Sequence, residues 1–273
     1  MTKIINRAKN LYLFFRFIAN NAGREYGVGH LQKAKLALRM KKNNKEINSL
    51  STWQQHILLA EEIFRVPKSL KGDVVECGCY NGASTANLSL ACALTSRRLF
   101  VCDSFEGLPE PHDDESDEIC PDFSDYWTYE AGDLSSKDGL KGVKSNVEAL
   151  GDSAVCEFVK GYFKDTLKEL DTDSVILIFE DADLRSAVQD CLQHLWPKLQ
   201  ENCKFYCHEP WSVHVVSLFY DVKWWRDNLN SNPPGFYGSG NGIVNALTYS
   251  FMGYAKKFDI EKAKIDRQKR ALP

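Results

Sequence analysis

The sequence predicts an α/β fold in which a doubly wound, mostly parallel sheet follows a helical N-terminal extension. From residue 72 onward, short apolar runs alternate with amphipathic segments, which is the pattern of repeated βα units. Residues 175–179 are continuously apolar, as expected for a strand that is buried on both faces of a parallel sheet. Glycine and acidic residues follow several of these runs, at the sheet edge where ligands bind in such folds.

The predicted elements can be placed in chain order. Residues 1–50 are basic and have a helical pattern, and we expect a helix over residues 52–64 that ends before Pro67. Strands are predicted at residues 74–77, 99–102, 154–159, 175–179 and 204–207. Helices are predicted at residues 86–94, 139–150 and 184–199. The chain therefore divides into a helical extension, residues 1–50, and one domain, residues 51–273.

Two segments interrupt this alternation. Residues 110–135 contain many acidic and few aliphatic side chains, which predicts a long loop. We interpret this insert as a lid over a substrate, with a solvated surface insertion as the alternative. Residues 233–242 are rich in glycine and precede a predicted final strand or hairpin at residues 243–256. We interpret the glycine-rich stretch as structural, and a place in a ligand pocket is the alternative.

Composition restricts the class of protein. The chain has 273 residues and a net charge of −3, which gives no support for a nucleic-acid binder. No apolar run reaches the ~20 residues that a transmembrane helix needs. Nine cysteines, several of them in apolar runs, indicate reduced thiols and a cytoplasmic protein. Neither Cys77 with Cys79 nor Cys203 with Cys207 has the spacing of a structural zinc site.

The first twenty residues faintly imitate a signal peptide, because basic side chains precede an apolar stretch at residues 11–15. Arg16 interrupts that stretch, and no clear cleavage site follows it. We interpret the segment as an amphipathic helix that packs on the domain or on a second subunit, which predicts a homo-oligomer such as a dimer. Secretion and attachment to a membrane surface are the alternatives.

The ends of the first two predicted strands offer a nucleoside site. Gly78 and Gly82 follow Glu76 and allow a tight turn and a close approach of the backbone to a ligand. The missing third glycine of G-x-G-x-x-G disfavours NAD, whereas acid-x-Gly suits a ligand with a cationic amine and a carboxylate. Asp103 ends the second strand, where a carboxylate can accept both hydroxyls of a ribose. A structural turn and a cap are the alternatives at these positions.

Two later strands end in polar residues that we expect to share one edge of the sheet. Asp181 and Asp183 follow the strand at residues 175–179, and His208 and Glu209 follow the next strand. A rim rich in carboxylates can hold a divalent cation, which would polarise a substrate hydroxyl. The alternatives are a helix N-cap for Asp183 and a polar turn for His208 and Glu209.

Five segments resemble the macrocin O-methyltransferase (TylF-like) family, whose members methylate sugar hydroxyls. The resemblance rests on residues 72–82 (GDVVECGCYNG), 101–109 (VCDSFEGLP), 161–167 (GYFKDTL), 180–184 (EDADL) and 195–199 (LWPKL). It extends over most of residues 50–255. The resemblance implies a Rossmann-like, class I methyltransferase that binds S-adenosylmethionine and methylates a hydroxyl of a small molecule, namely a sugar or a glycosylated metabolite.

The resemblance also implies functional residues. Asp183 matches the residue proposed as general base, which would take the proton of the hydroxyl. The residues implied to bind the cofactor are Glu76, Gly78, Tyr80, Gly82, Ser84, Asp103, Ser104, Gly161 and Tyr162.

A divalent metal is implied in the same way, because family members hold Mg²⁺ through three aspartates. Asp181 matches the first of them, whereas His208 and Glu209 stand in place of the other two. Glu209 still offers an oxygen, but the imidazole of His208 suits Mn²⁺, Fe²⁺ or Zn²⁺ better than Mg²⁺. We therefore predict a metal site at these three residues and leave the identity of the metal open.

Three other functions compete with this prediction. A degenerate family member would bind S-adenosylmethionine without transferring the methyl group, and the change at His208 and Glu209 motivates that alternative. A nicotinamide oxidoreductase is disfavoured by the absence of G-x-G-x-x-G. A methyltransferase for protein or nucleic acid finds no support in the charge balance.

Overall fold

A computed structural model describes residues 2–112, 117–120, 125–240, 242–243 and 252–258. Within these ranges the chain forms an α/β unit around one mostly parallel sheet, as the sequence predicts. The helices are α1 (Thr2–Ala19), α2 (His30–Glu46), α3 (Trp53–Arg65), α4 (Ala83–Thr95), α5 (Gly139–Leu150), α6 (Phe163–Thr166), α7 (Arg185–Leu195), α8 (Val213–Leu218) and α9 (Val222–Leu229). Short 3₁₀ turns lie at Arg24–Tyr26, Ser153–Val155 and Leu167–Glu169.

The sheet has six strands in the order β5-β2-β1-β6-β7-β8. Its strands are β1 (Asp73–Cys77), β2 (Leu99–Asp103), β5 (Cys156–Lys160), β6 (Val175–Glu180), β7 (Leu199–Cys207) and β8 (Gly253–Lys256). All neighbouring pairs are parallel except β7 with β8, which is antiparallel. The chain runs outward from β1 to β5 and then crosses back to β6, so the strand order reverses between β1 and β6. A ligand crevice is expected at the carboxyl ends of these two strands.

The helical extension packs on the domain. Phe17 of α1 is fully buried and stacks on Phe64 of α3 with ring centroids 6.2 Å apart. Lys33 of α2 is also buried, and its ammonium group donates hydrogen bonds to the backbone oxygen and the side chain of Asn20 at 2.7 and 2.8 Å. The hydrophobic cluster of α1 and α2 is continuous with that of the sheet. The division of the chain at residue 50 stays a prediction.

The acidic insert differs from its prediction as a loop. It contains two short antiparallel strands, β3 (Asp117–Cys120) and β4 (Asp125–Thr128), which pair only with each other. The strands are four residues long, too short for alternation to be recognised among acidic neighbours, although β4 contains the strand-forming types Tyr, Trp and Thr. Residues 113–116 and 121–124 of the insert lie outside the described ranges.

Two other boundaries differ from the sequence prediction. The helix predicted at residues 184–199 ends at Leu195, and β7 begins at Leu199. Of the final strand or hairpin predicted at residues 243–256, β8 covers the described end, whereas residues 244–251 lie outside the described ranges. Among the helices that the structure describes, none is long and apolar enough to cross a membrane.

Candidate functional site

A cavity of about 790 Å³ opens at the carboxyl ends of the parallel strands. Its size falls within the usual range for sites that bind small molecules, roughly 300–1,000 Å³. Most of the predicted site residues line it, namely Gly78, Tyr80, Ser84, Asp103, Ser104, Gly161, Tyr162, Asp181, Asp183, His208 and Glu209. The topology therefore brings the predicted cofactor, base and metal residues to one place.

Glu76 does not line the cavity, and its assignment to the cofactor stays a prediction. It belongs to β1, which is covered on both faces, and its side chain is fully buried. The hydroxyl of Thr85, in α4, donates a hydrogen bond to its carboxyl group at 2.6 Å. Burial raises the pKa of Glu76 to about 8. Glu76 therefore connects β1 to α4.

Gly82 is also absent from the cavity wall and instead starts α4 in a left-handed conformation, with φ of 82°. Gly78 is held more tightly, because a Cβ atom at this position would lie 1.9 Å from the carbonyl oxygen of Asp181. Its φ of 85° is likewise favoured by glycine. Gly78 thus lets the turns after β1 and β6 touch, and it forms the cavity floor.

Asp103 is hydrogen-bonded to the turns after β1 and β2, at the proposed nucleoside end of the cavity. Its two carboxyl oxygens accept hydrogen bonds from the backbone N–H groups of Cys79 at 2.7 Å and Phe105 at 2.6 Å. Burial raises its pKa, although these donors act in the opposite direction. The thiol of Cys79 and the backbone of Tyr80 also interact with this carboxyl group, so ribose hydroxyls would share its oxygens with protein donors. Ser104 uses its hydroxyl to donate to the backbone oxygen of Gly107 at 2.7 Å.

One wall of the cavity comes from the segment after α2, which sequence analysis did not assign to the site. Residues 48–51 line the cavity. The Asn48 amide donates to the hydroxyl of Tyr80 at 3.2 Å, and the Asn81 amide donates to the Asn48 carbonyl at 3.3 Å. These contacts join residues far apart in the chain, so no local pattern indicates them.

His56 of α3 is hydrogen-bonded to this wall from the interior side. Its Nε2 lies 2.8 Å from the hydroxyl of Ser51, and its Nδ1 lies 2.8 Å from the amide nitrogen of Asn87 in α4. The ring is fully buried, and burial lowers its pKa to about 3. His56 is therefore neutral at physiological pH and connects the cavity wall to two helices.

Asp183 lies on the cavity wall in a strained backbone conformation. Its φ is 62°, in the left-handed region that non-glycine residues rarely adopt. The hydroxyl of Tyr129 donates to its Oδ1 at 3.1 Å, and Tyr129 was not identified from the sequence. The residue that begins α7 as N-cap is Leu184, so the alternative interpretation of Asp183 as that cap is wrong. Local strain of this kind is concentrated at functional sites.

The three predicted metal ligands lie together at the ends of β6 and β7. Nδ1 of His208 lies 3.0 Å from a carboxyl oxygen of Asp181 and 3.4 Å from one of Glu209. The ligand atoms of the three residues are all within 4.8 Å of one another. Glu209 is 1% exposed, and its Oε1 has no hydrogen-bond partner, so this buried oxygen is available to a cation. In number and spacing the residues could therefore surround a metal ion.

The hydrogen bonds around His208 do not fit a metal. Oε1 of Gln55 accepts a hydrogen bond from the backbone N–H of Thr52 at 2.6 Å, so the amide nitrogen of Gln55 is the atom that lies 3.1 Å from Nε2 of His208. A metal-ligating histidine donates its second ring N–H to an acceptor, whereas His208 faces a donor. Its Nε2 must accept, which leaves the ring proton on Nδ1 between the carboxyl groups.

The charges around His208 also keep a proton on the ring. Burial lowers the pKa of His208, but Asp181 and Glu209 outweigh burial and raise it well above its usual value. The raised pKa favours a second proton, on Nε2, whereas the amide donor of Gln55 opposes it. Both ring forms carry a proton on Nδ1, which occupies the direction from which a metal ion would bind this nitrogen.

Comparison with known proteins agrees with this fold and arrangement. The family model "Macrocin-O-methyltransferase (TylF)" matches residues 55–205, more than half of the chain. The 8-demethyl-8-(2,3-dimethoxy-alpha-L-rhamnosyl)-tetracenomycin-C 4'-O-methyltransferase of Streptomyces olivaceus is 35% identical over 133 residues, which are 47% of this chain and 49% of that protein. The mycinamicin III 3''-O-methyltransferase of Micromonospora griseorubida is 30% identical over 133 residues, which are 47% of this chain and 51% of that protein. The matched region spans about half the length of these curated relatives.

Solved structures show the same architecture. The O-methyltransferase NovP superposes with a TM-score of 0.59 at 18% identity, over 92% of this chain and all of that chain. The calicheamicin methyltransferase CalS11 superposes with a TM-score of 0.54 at 15% identity, over 84% of this chain and 93% of that chain. At these identities the likeness concerns the fold alone. Taken with the match of the family model, the sheet and the cavity at its switch point show that the chain belongs to the macrocin O-methyltransferase (TylF) family.

Proposed function

We propose that the chain is an S-adenosylmethionine-dependent O-methyltransferase that methylates a sugar hydroxyl of a small molecule. The observation that carries this proposal is the cavity at the switch point of the sheet, where Asp103 and Asp183 line the same space. The first carboxylate suits a nucleoside and the second suits a hydroxyl acceptor. The activities named for the two relatives, one of them on a rhamnosyl compound, support a sugar as the acceptor.

The cofactor would occupy the side of the cavity formed by the turns after β1 and β2. Asp103 would accept the ribose hydroxyls at the carboxyl oxygens that also accept the backbone hydrogen bonds of Cys79 and Phe105. Gly78 would let the chain approach the methionine part closely, since no side chain projects there. Gly161 and Tyr162 would lie beside the adenine. Ser84 and Tyr80 complete this wall.

The transfer itself needs alignment and removal of one proton. When bound, S-adenosylmethionine would supply an electrophilic methyl group, which the acceptor oxygen would take as the sulfur leaves with the bonding electron pair. The carboxylate of Asp183 would accept the proton of the acceptor hydroxyl. Tyr129 donates a hydrogen bond to that carboxylate and would hold it in position. Fixing the reacting groups in this geometry removes much of the entropic cost of the reaction.

Residues from the acidic insert would exclude water from the reaction. Leu108 and Tyr129 pack with Leu184 in a small hydrophobic cluster beside Asp183. Both line the cavity, so Tyr129 of the insert and Leu108, just before the insert, form part of its wall. We propose that residues 110–135 close over the acceptor. Because the hydrogen bonds of His208 do not fit a metal ion, no step of this proposal passes through one.

Calorimetry with S-adenosylhomocysteine tests the proposal without knowledge of the acceptor. We expect binding to the wild-type protein and loss of binding in Asp103→Ala. Glu110→Ala is the matched control, because it removes an exposed carboxylate from the same cavity wall. No binding to well-folded wild-type protein would refute the proposal. Binding without transfer to any glycoside acceptor would favour a degenerate family member. The cytoplasmic location and the homo-oligomer remain predictions.

A further inference from the structure

We propose that the Nδ1–H group of His208 takes the place of a divalent cation, and that Gln55 is the positioning residue that keeps it there. The site would then bind its ligands without a metal ion. The inference deepens the proposed function and shares its site, but its test uses neither the cofactor nor methyl transfer. The observation behind it is the direction of the hydrogen bond between the Gln55 amide and His208.

The orientation of the Gln55 amide is fixed by the first turn of α3. Thr52 is the N-cap of this helix and forms a capping box with Gln55. In that box, Gln55 Oε1 accepts from the backbone N–H of Thr52 at 2.6 Å and from its hydroxyl at 3.0 Å. A backbone N–H can only donate, so a flipped amide would place two donors against each other. Gln55 is also 2% exposed, so water does not replace these contacts.

The fixed amide determines the tautomer of the imidazole. Its NH₂ group lies 3.1 Å from Nε2 of His208, so Nε2 is the acceptor of this hydrogen bond. The ring proton is consequently on Nδ1, which faces Asp181 at 3.0 Å and Glu209 at 3.4 Å. A metal bound to Nδ1 would have to displace that proton to Nε2, where it would meet the donor of Gln55.

The position of the proton matches the position that a cation would take. An N–H donor between two carboxyl groups offsets their repulsion, as a divalent ion would do with greater charge. It also joins the end of β6 to the end of β7, where Asp181 and His208 lie. The buried Oε1 of Glu209 lies on this side of the ring, 3.4 Å from Nδ1.

Exchange of Gln55 for glutamate reverses the polarity and tests the proposal. Glutamate is the preferred partner of a capping Thr, so Gln55→Glu retains the capping box. Its second oxygen would accept from Nε2–H and free Nδ1 for a metal, as in carboxylate–histidine–metal sites. The matched control is Gln189→Glu, which adds the same charge to the wall of the same cavity. Binding of Mn²⁺ is measured by the loss of its free electron paramagnetic resonance signal.

We expect no one-to-one Mn²⁺ binding by the wild type or by Gln189→Glu. Gln55→Glu should bind one Mn²⁺, at least about tenfold more tightly than any association seen with the wild type, since partners behind a ligating histidine typically change metal affinity 10–100-fold. Nitrogen-15 spectra of the His208 ring should show a proton on Nδ1 and none on Nε2 in the wild type. One-to-one Mn²⁺ binding by the wild type that is lost in His208→Ala would overturn the proposal, as would an Nδ1 without a proton, whereas a ring protonated on both nitrogens would overturn the role of Gln55. A folded Gln55→Glu protein with no gain in affinity would overturn the role of Gln55. Failure of the proposed activity would leave all three readouts unchanged.

Discussion

Acid should destabilise this protein through His56, and the size of the effect can be worked out. The ring is buried among α2, α3 and α4, where Asn87 donates to Nδ1 and Nε2–H donates to Ser51. Burial lowers its pKa to about 3, whereas a histidine in the unfolded chain has a pKa near 6.5. As the pH falls below about 6.5, the unfolded chain therefore binds a proton that the folded protein excludes.

The sign of the effect follows from the lowered pKa. The contribution of His56 to the free energy of unfolding is complete above pH 6.5 and is lost as the pH falls toward 3. Each pH unit in this interval costs about 1.4 kcal/mol, because a single proton is involved. Between pH 7 and pH 5 the loss amounts to about 2 kcal/mol. That loss is a substantial part of the total stability of a typical domain, roughly 5–15 kcal/mol.

Urea unfolding at pH 7 and pH 5 measures this loss. Other groups titrate in the same interval, so the comparison is with His56→Gln, which removes the titrating ring and retains hydrogen-bonding groups. The wild type should lose about 2 kcal/mol more than the variant between the two pH values. Equal losses in both proteins would refute the reasoning. Should the variant fail to fold, ring proton shifts of His56 in the folded wild type provide the answer, since a pKa near 6.5 would contradict it equally.

Three further outcomes are expected at the cavity. Gly78→Ala should weaken S-adenosylhomocysteine binding at least about tenfold in calorimetry, because the added Cβ would lie 1.9 Å from the backbone oxygen of Asp181. Unchanged affinity would show that the close approach of Gly78 to Asp181 is not needed for binding. Asp183→Asn should bind S-adenosylhomocysteine normally and transfer the methyl group about 100-fold or more slowly; full turnover would remove Asp183 as the base. Tyr129→Phe should lower kcat roughly tenfold, because the carboxylate of Asp183 would lose one hydrogen bond. A roughly tenfold rise in KM with unchanged kcat would instead assign the Tyr129 hydroxyl to binding of the acceptor.

The sheet was predictable because its strands have strong local signals. Residues 175–179 form a continuous apolar run, and the structure places them in β6, where every residue is buried. The same physics makes the edge of the sheet predictable, since consecutive βα units direct their strand ends to one side. Asp103, Asp181 and His208 were identified in this way, from their positions directly after strands. The helix at Gly139–Leu150 also matches its predicted bounds.

The residues missed by sequence analysis act through contacts between distant parts of the chain. Gln55 reaches His208 across 153 positions, and Tyr129 reaches Asp183 across 54. No periodicity connects such pairs, because their meeting depends on how α3 and the acidic insert pack against the sheet. Glu76 shows what a local pattern does not reveal. Its place beside the glycine turn predicts a cofactor residue, and the structure adds that its side chain is fully buried in a strand covered on both faces.

The Gln55 side chain both caps α3 and contacts His208, and this has an evolutionary consequence. The side-chain oxygen of Gln55 completes the capping box at the start of α3, and its nitrogen donates to Nε2 of His208. Most substitutions at position 55 would therefore remove both interactions. Selection on helix stability alone would then preserve the tautomer of a histidine in another part of the chain. Glutamate is the replacement that would keep the capping box and reverse the polarity of the hydrogen bond to His208. The single substitution Gln55→Glu would then convert a site filled by a proton into one able to hold a metal ion.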